Sequence, residues 1–316
     1  MVHKPSVSVV VCTKDRPESL ERCLDSLKKQ TFKNFELLVV STPGAKSREV
    51  CKKYASAYIE EKRAGRCIAR NTGITKSRGE IIAFFDDDTE AKKDCLDKLL
   101  RCYKYDSIGA VGGMEDDPKK AAKLNAWQRA RNFILRDINP FLAMKKIDVR
   151  NSGRVTGSFR ENERTMFVKH IKGSVMSFRK KALLDIRGFD TWFDKTAHRE
   201  ETDVCVRLAK KGYKILYNPY ATVVHHAESQ GRENRLSFLY SNYKQHQYFV
   251  FKNSLINFSG LPEFILGEFL ELLSLFIYAL FEKDFRYLLL AKAKFEGIKE
   301  GIKARHSKGI YGDLRL

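Results

Sequence analysis

The chain has 316 residues, of which 59 are lysine or arginine and 39 are aspartate or glutamate, so its formal net charge is +20. With 43% hydrophobic and 31% charged residues it has the composition of a globular protein with a sizeable core, which excludes a disordered chain and a disulfide-dependent miniprotein. The large positive charge predicts an anionic partner or surface. Because the seven cysteines include no Cys-x-x-Cys pair and no cluster at zinc spacing, we expect a reducing, cytoplasmic compartment.

Short β-branched runs alternate with helical patterns in the first half of the chain, which predicts βα units and a largely parallel sheet. The predicted strands are residues 7–12, 35–40, 81–85 and 110–113, and the predicted helices are 17–30, 47–55 (capped by Ser47), 65–75 and 92–103. Open α/β sheets bind ligands outside the carboxyl ends of their strands. We therefore expect the functional residues in the loops at that edge.

The alternation weakens after residue 113. We expect a basic helix at 119–137, a loop at 139–163, strands at 164–170 and 174–178, a helix at 202–211 closed by Gly212, and strands at 213–217 and 221–224. From about residue 233 the sequence is helical, aromatic and basic. These patterns predict a catalytic α/β domain at residues 1–230 and a separate helical region at 231–316.

An apolar stretch at residues 264–281 dominates the C-terminal region. Because Glu268 and Glu271 interrupt it, we expect too few uncharged residues to span a bilayer. Aromatic and basic residues around it suit the headgroup region of an anionic membrane. Two interpretations stay open, a peripheral attachment to the inner face of the cell membrane and a helical lid on the catalytic domain. The apolar run at 7–12 is too short for a signal peptide.

Three consecutive carboxylates, Asp86, Asp87 and Asp88, follow the predicted strand at 81–85. A divalent cation would offset their repulsion, and Mg²⁺ or Mn²⁺ prefers carboxylate oxygens and leaves coordination positions for substrate phosphates. A solvated acidic turn or a helix cap is the alternative interpretation. In a cationic chain, a diphosphate ligand would bind arginines directly and share the metal with these carboxylates.

Three further segments carry candidate functional groups. Arg66 and Arg70 lie one turn apart on a predicted helix and could bind a phosphate or a base, although an ordinary basic helix has the same pattern. Glu201 stands at the start of a predicted helix, where it could be a general base or only a cap. His225 ends a predicted strand, where its imidazole could bind a metal or lie at the surface.

Taken in order, these motifs resemble those of the inverting family 2 glycosyltransferases of the GT-A fold, closest to rhamnosyl- or glucosyltransferase-like members, over about residues 5–228. The resemblance rests on VSVVVCTKDRP at 7–17, ARNTG at 69–73 with RGE at 78–80, the acidic triplet at 86–88, and GFD at 188–190 leading to EETD at 200–203. It implies a Rossmann-like, mainly parallel sheet flanked by helices.

The resemblance also implies roles for individual residues. It places the nucleotide against Thr13, Asp15, Arg16, Arg70, Asn71, Asp86 and Asp87, and the metal against Asp88, Asp86 and His225, with His225 a better match than His226. It makes Glu201 the catalytic base, with Glu200 as a neighbouring catalytic residue. Residues 173–178 resemble the segment that flanks the acceptor pocket.

One departure from the family pattern concerns the donor. Many relatives carry an acidic loop after the second strand that reads the base, whereas this chain has STPGA at 41–45, so UDP, GDP and dTDP donors all remain open. The resemblance implies transfer of a sugar from a nucleoside-diphosphate sugar to a hydroxyl of a glycan or lipid-linked acceptor, with Mg²⁺ or Mn²⁺ and a carboxylate base. The alternatives are a basic protein that binds nucleic acid or a membrane, and a sugar nucleotidyltransferase. We expect no nucleic-acid partner, because the sequence has no nucleic-acid-binding signature, and we do not favour the nucleotidyltransferase, because no glycine-rich loop follows the first strand.

Overall fold

The computed structural model describes residues 5–43, 45–55, 57–116, 147–157, 159, 162–193, 198–226 and 235–306. The chain divides into two compact units. The first unit contains residues 1–120, 159–228 and 311–316, and the second contains 121–158 and 229–310. The second unit therefore takes in a central segment that the sequence analysis assigned to the catalytic domain.

The strands and helices follow one another in the predicted alternating order. The strands are β1 (Val7–Thr13), β2 (Phe35–Ser41), β3 (Ala57–Glu60), β4 (Ile81–Asp86), β5 (Thr89–Ala91), β6 (Ile108–Asp116), β7 (Asp148–Val149), β8 (Val155–Thr156), β9 (Met166–Val168), β10 (Val175–Arg179) and β11 (Lys214–His225). The helices are α1 (Pro17–Lys28), α2 (Ala45–Tyr54), α3 (Arg66–Lys76), α4 (Cys95–Leu100), α5 (Lys180–Asp185), α6 (Glu200–Lys210), α7 (Arg235–Lys252), α8 (Leu261–Glu282) and α9 (Leu289–His306), with a 3-10 turn at Phe285–Leu288.

The first unit is built on a nine-stranded sheet of order β3-β2-β1-β4-β10-β6-β11-β5, with β9 paired to β11. β1 to β4 are parallel where they pair, and so are β6 and β11, whereas β10 runs antiparallel to both of its neighbours. The valines of β1 are at most 1% exposed, because parallel strands are covered on both faces. The predicted apolar stripe of α1 is likewise buried, at Leu20, Cys23, Leu24 and Leu27.

Several predicted elements differ from the structure. β3 was missed because it is a short edge strand with half-exposed residues and no apolar run. The two strands expected at 213–217 and 221–224 form one strand, β11, whose pairing with β6 shifts register between Tyr217 and Thr222, an irregularity that accommodates Pro219. Ser47 lies inside α2 and does not cap it. The helix expected at 92–103 is shorter, at Cys95–Leu100, and the helix expected at 119–137 lies outside the described residues.

The sheet registers position the candidate site. β1 and β4 pair in parallel register, so that Cys12 lies opposite Asp86 and the segment after each strand emerges at the same sheet edge. β5 then turns back and pairs antiparallel with the end of β11, with His225 opposite Thr89. The acidic triplet therefore lies beside the end of β11, far from it in sequence.

The second unit is mainly helical. α7 and α9 pack against each other, and the segment expected to be a loop at 139–163 contains the short antiparallel pair of β7 and β8. In α8, residues 261–281 have a mean hydropathy of 2.0 and are long and apolar enough to cross a membrane by length and composition, with only 18% of the apolar window buried. The expectation that Glu268 and Glu271 make this stretch too polar by composition is therefore wrong.

Candidate active site

Buried Asp87 connects the ends of β1 and β4. Its Oδ2 atom accepts hydrogen bonds from Thr13 Oγ1 at 2.6 Å and from Arg16 Nε at 3.2 Å, and its Oδ1 atom lies 2.5 Å from Arg16 Nη2. Burial raises the pKa of Asp87 to about 6, although Arg16 and Thr13 act in the opposite direction. Because Asp87 is 1% exposed and both oxygens bond within the protein, it positions Thr13 and Arg16. This geometry does not support the direct nucleotide contact expected of Asp87.

Asp88 and His225 form a second pair at this edge. His225 Nε2 lies 3.1 Å from Asp88 Oδ1, and His225 Nδ1 lies 3.6 Å from Glu115 Oε1. The hydrogen bond to Asp88 and the nearby Glu115 carboxylate raise the pKa of His225 to about 10, because both negative charges favour the imidazolium. His226 turns to the other side of the strand, where its Nε2 lies 3.2 Å from Glu90 Oε2.

The donor atoms of Asp88 and His225 suit a divalent cation. A carboxylate with an imidazole is compatible with Mn²⁺, and Mg²⁺-like ions are bound by one or two carboxylates together with water and substrate phosphates. The carboxylates of Asp88 and Glu115, which flank His225, add negative charge that such an ion would neutralise. Across the described part of the chain, no three His, Cys, Asp or Glu side chains converge on one point. Asp88 and His225 are thus two candidate ligands, and Oδ1 of Asp86, the third residue expected at the metal, lies 3.5 Å from Arg70 Nη2.

Arg70 links the acidic end of β4 to the start of α6. Its Nη1 donates to Glu200 Oε1 at 2.7 Å, and its Nη2 lies 3.5 Å from Asp86 Oδ1. The side chains of Arg70 and Glu200 are each 2% exposed. Burial lowers the pKa of Arg70, but Glu200 and Asp86 outweigh this and raise it above its usual range. Glu200 therefore engages Nη1 of Arg70, whereas the buried Nη2 has no hydrogen-bond partner among the described residues, so the expected nucleotide contact of Arg70 stays a prediction.

Glycine at position 173 leaves space beside this ion pair. A Cβ atom on Gly173 would lie 3.3 Å from Arg70 Nη2 and 3.8 Å from Glu200 Oε1. Any larger side chain would therefore cover the pair. Gly173 belongs to the segment 173–178 that is expected to flank the acceptor pocket, and in the structure it lies at the start of α6.

Glu201 follows Glu200 in the first turn of α6 and is partly buried. Burial raises the pKa of Glu201 well above its usual value, and the neighbouring Glu200 carboxylate adds to the shift. A carboxyl group with a raised pKa is a stronger base once it has ionised. The expectation that Glu201 is ready in its ionised form therefore applies only above this raised pKa.

Three other residues expected at the nucleotide lie in different surroundings. Asn71 is buried, and its amide exchanges two 2.8 Å hydrogen bonds with the backbone N–H and C=O of Phe189. Because both ends of the amide are used, Asn71 fixes the backbone at Phe189, and this geometry does not support a nucleotide contact. Asp15, with a left-handed φ of 53°, and Arg66 are both exposed, after β1 and at the start of α3.

Glu115 and Lys172 adjoin this site although neither was singled out in the sequence. Ser174 Oγ donates to Glu115 Oε2 at 2.9 Å, and Lys172 Nζ lies 3.7 Å from the same oxygen. A signal for Glu115 was present, because it follows a predicted apolar strand just as Asp86 does. Nothing in the local pattern distinguishes Lys172 from the many other lysines of this chain.

The family model for glycosyl transferase family 2 matches residues 8–182, which is more than half of the chain. This protein belongs to glycosyltransferase family 2. The resemblance inferred from the motifs is thereby confirmed, and so is the expectation of an enzyme of the glycosyltransferase class. The matched region includes β1, the acidic triplet and β10, whereas α6 and His225 lie beyond it.

Two curated relatives are similar to this family 2 glycosyltransferase. Glycosyltransferase GlyA from Streptococcus pneumoniae is 33% identical over 119 residues, which are 35% of this chain and 17% of that protein. Glucosyl-dolichyl phosphate glucuronosyltransferase from Haloferax volcanii is 26% identical over 232 residues, which are 69% of this chain and 68% of that protein. The match to GlyA thus spans less than a fifth of that relative's length.

A solved structure shares the fold. The mannosyltransferase PcManGT from Pyrobaculum calidifontis, in complex with GDP-Man and Mn²⁺, aligns with a TM-score of 0.54 and 17% identity over 98% of this chain and 77% of that one. This similarity, together with the mixed, mostly parallel sheet, confirms the GT-A fold and the helical C-terminal region.

The residue that precedes α6 has an unusual backbone conformation. Arg199 lies at φ 77° and ψ 5°, in the left-handed region. An L residue in this conformation costs about 1–2 kcal/mol, a cost that glycine avoids. The turn into α6 is therefore held in a conformation that arginine does not favour.

Proposed function

We propose that this glycosyltransferase moves a sugar from a nucleoside-diphosphate sugar to an acceptor hydroxyl, with inversion at the anomeric carbon. The contacts of Arg70 carry the proposal. Because its two nitrogens face Asp86 and Glu200, the acidic end of β4 and the first turn of α6 lie within one side chain of each other. A donor bound at the strand end would thus have its sugar near the α6 carboxylates.

Asp88 and His225 are the residues we propose for a divalent cation. Their separation of 3.1 Å and the negative charge around them support this, as does the Mn²⁺ complex of the similar mannosyltransferase. When bound, Mg²⁺ or Mn²⁺ supplies charge neutralisation for the departing diphosphate. Arg16, whose guanidinium Asp87 and Asp88 hold in place, adds a further positive charge at the same edge.

Glu201 is the residue we propose as general base. It accepts the proton of the acceptor hydroxyl while the hydroxyl oxygen bonds to the anomeric carbon, and the bond from that carbon to the diphosphate oxygen breaks. Because the base and the leaving group lie on opposite sides of the sugar, a single displacement inverts the anomeric centre. The Arg70–Glu200 pair acts as a support that orients the first turn of α6.

A lipid-linked hydroxyl is the acceptor class we favour over a free glycan. The Haloferax relative, which covers 69% of this chain, acts by its name on a glucosyl-dolichyl phosphate. A basic chain with an exposed apolar helix also suits an acceptor that is held at a membrane.

Binding of nucleotides tests the proposal directly. Calorimetry and thermal unfolding would compare UDP, GDP and dTDP and their sugars, each with and without Mn²⁺. We expect one nucleotide to raise the unfolding temperature in a metal-dependent way, since a ligand that binds only the folded state stabilises it. If no nucleotide or nucleotide sugar raises the unfolding temperature, with or without Mn²⁺, the proposed nucleoside-diphosphate-sugar donor is wrong.

A further inference from the structure

The acidic residues of α8 point toward their own unit and are paired there. Lys294, which is 4% exposed, donates to Glu268 Oε2 at 2.6 Å and to Glu271 Oε2 at 2.5 Å. Arg154 Nη1 donates to Glu271 Oε1 at 3.2 Å. The carboxylates that interrupt the apolar stretch in sequence are thus neutralised on the inner side of the helix.

The same arrangement recurs at the beginning of α8. Arg150 donates from Nε and Nη2 to the two oxygens of Glu263 at 2.6 and 2.8 Å, in bidentate geometry. Gly267 lets the Arg154 guanidinium approach the helix so closely that a Cβ there would lie 1.7 Å from Nη2. The acidic side chains of α8 that the structure describes therefore all have basic partners within the second unit.

The opposite side of α8 is uncharged and exposed. We call it the outer face of α8; its residues recur at helical spacing and are each 38–61% exposed: Ile265, Leu266, Phe269, Leu272, Leu273, Phe276 and Leu280. Isolated exposed apolar residues are ordinary, but a continuous stripe of this length marks an interaction surface.

The neighbouring helix α9 shows what kind of surface this is. Its exposed residues alternate lysine with apolar side chains, with Phe295 at 72% and Ile302 at 43% exposure between Lys292, Lys299 and Lys303. A stripe of this kind suits the boundary between anionic headgroups and acyl chains, where lysines contact phosphates and apolar groups enter the membrane. A protein partner would not require this pairing of charge and apolar residues.

We propose that the outer face of α8 inserts into one leaflet of an anionic lipid bilayer, with α8 parallel to the membrane plane. Crossing the bilayer would surround the helix with lipid and strip Glu268 and Glu271 of Lys294 and Arg154, leaving carboxylates in hydrocarbon. In the in-plane arrangement those ion pairs stay intact. The helix therefore has the length of a membrane span but the charge distribution of an interfacial helix.

Flotation of the full chain with vesicles tests the proposal. Vesicles of phosphatidylcholine alone would be compared with vesicles that also contain phosphatidylglycerol, at low salt and in 1 M NaCl. We expect strong binding to the anionic vesicles and a residual salt-resistant fraction, because apolar insertion is not screened. Absence of flotation with either vesicle, or complete release by salt, would overturn the insertion.

A pair of matched double variants distinguishes vesicle binding through the outer face of α8 from nonspecific adsorption of the protein to lipid. Phe269→Gln with Phe276→Gln removes two aromatic rings from this face, and we expect the partition coefficient to fall about 100-fold. Phe167→Gln with Tyr105→Gln removes two rings of similar exposure, 61% and 70%, from the first unit and should leave binding unchanged. Equal loss in both variants contradicts the proposal. A change from dimer to monomer in the first variant, measured by light scattering, would mean that a second copy covers this face.

The depth of α8 in the bilayer distinguishes a helix that lies parallel to the membrane plane from one that crosses the membrane. Phe269→Trp and Phe276→Trp place reporters seven residues apart on the same face, about 10 Å along the helix axis. Lipids brominated at defined acyl positions should quench both tryptophans at the same depth. A difference in depth of about 10 Å would show that α8 crosses the bilayer. Because nucleotide binding is measured without vesicles, failure here leaves the proposed transferase function untouched.

Discussion

Arg70 and Glu200 form an ion pair in which both side chains are 2% exposed, with Nη1 and Oε1 2.7 Å apart. The pair joins α3 to α6, two helices separated by more than a hundred residues in sequence. Removing one partner from a buried pair leaves an uncompensated charge, whereas replacing both can be nearly neutral. The pair therefore couples the stability of the fold to the shape of the candidate site.

Loss of the arginine should destabilise the protein strongly. We expect Arg70→Met to lower the free energy of unfolding by about 3–5 kcal/mol, and Arg70→Met with Glu200→Gln to recover most of that loss. Urea unfolding measures the free energy of unfolding of the single and the double variant. The exposed pair Lys52–Glu49 is the control, since Lys52→Met should change stability by less than about 1 kcal/mol. A similar loss of stability in Arg70→Met and Lys52→Met would mean that burial of the Arg70–Glu200 pair does not contribute to the stability of the fold.

Glu201→Gln should remove transfer and leave donor binding unchanged. An amide cannot accept the acceptor proton, and loss of a general base lowers the rate by about 10²–10⁴-fold. Calorimetric titration with the nucleotide and a product assay separate the two effects. Glu163→Gln, at an exposed position, is the control and should retain full activity. Near-normal turnover of Glu201→Gln would exclude this residue as the base.

Asp88→Asn should abolish the part of nucleotide binding that depends on Mn²⁺. The amide removes the negative charge beside His225 and one oxygen ligand, so adding metal should no longer tighten binding. Calorimetry with and without Mn²⁺ gives the difference. The fully exposed Asp106 provides the control variant Asp106→Asn. An unchanged metal response in Asp88→Asn would remove it from the proposed metal site.

In metal-free buffer, stability should fall as the pH rises from about 6.5 to about 10. The folded-state pKa of His225 is raised from 6.5 to about 10, because Asp88 and Glu115 stabilise the imidazolium. The proton therefore adds stability that is fully present below the unfolded-state pKa and is lost as the pH approaches the folded-state value. Urea unfolding at several pH values, with a chelator present, measures the slope of the free energy of unfolding against pH.

Two histidine variants decide whether His225 causes this slope. His225→Gln should flatten it, whereas His226→Gln should leave it as it is, because the Glu90 carboxylate beside His226 is 51% exposed and the Asp88 carboxylate beside His225 is 9% exposed. A slope that survives His225→Gln would come from other groups, and the contacts of His225 with Asp88 and Glu115 would not control it.

The backbone turn before α6 can be tested with two substitutions at one position. Arg199→Gly and Arg199→Ala both remove the side chain, but only glycine adopts φ 77° without steric cost. We expect Arg199→Gly to be more stable than Arg199→Ala by about 1–2 kcal/mol in urea unfolding. Equal stability would mean that the turn relaxes when the arginine is removed.

The strands of the first unit and their order along the chain could be predicted, because buried parallel strands leave continuous β-branched runs in the sequence. The edge strand β3 could not, since an edge strand needs no such run. The split of β11 was also wrong, because Asn218, Pro219 and Tyr220 look like a turn locally but form an irregularity once β6 and β9 pair with the same strand.

The candidate site divides in the same way. Asp88, His225 and Glu201 were identified from residue type and motif order, and they stay predictions in their proposed roles. The surroundings of Asp87, Arg70 and Asn71 were not predictable, because each of these side chains bonds to a residue that is far away in sequence. The residue types in a motif do not determine which polar side chains face a ligand and which bond to the rest of the protein.

The family, the βα alternation, the acidic strand end and the basic, apolar character of the C-terminal region can all be recognised in the sequence, because each is a property of residue type and local spacing. Which carboxylates are neutralised depends on the fold. Glu268 and Glu271 interrupt an apolar stretch when read in order, yet Lys294 and Arg154 turn that interruption into an inner face. The effect of a charge depends on the distance to its partner, and folding brings together partners that lie far apart in the chain.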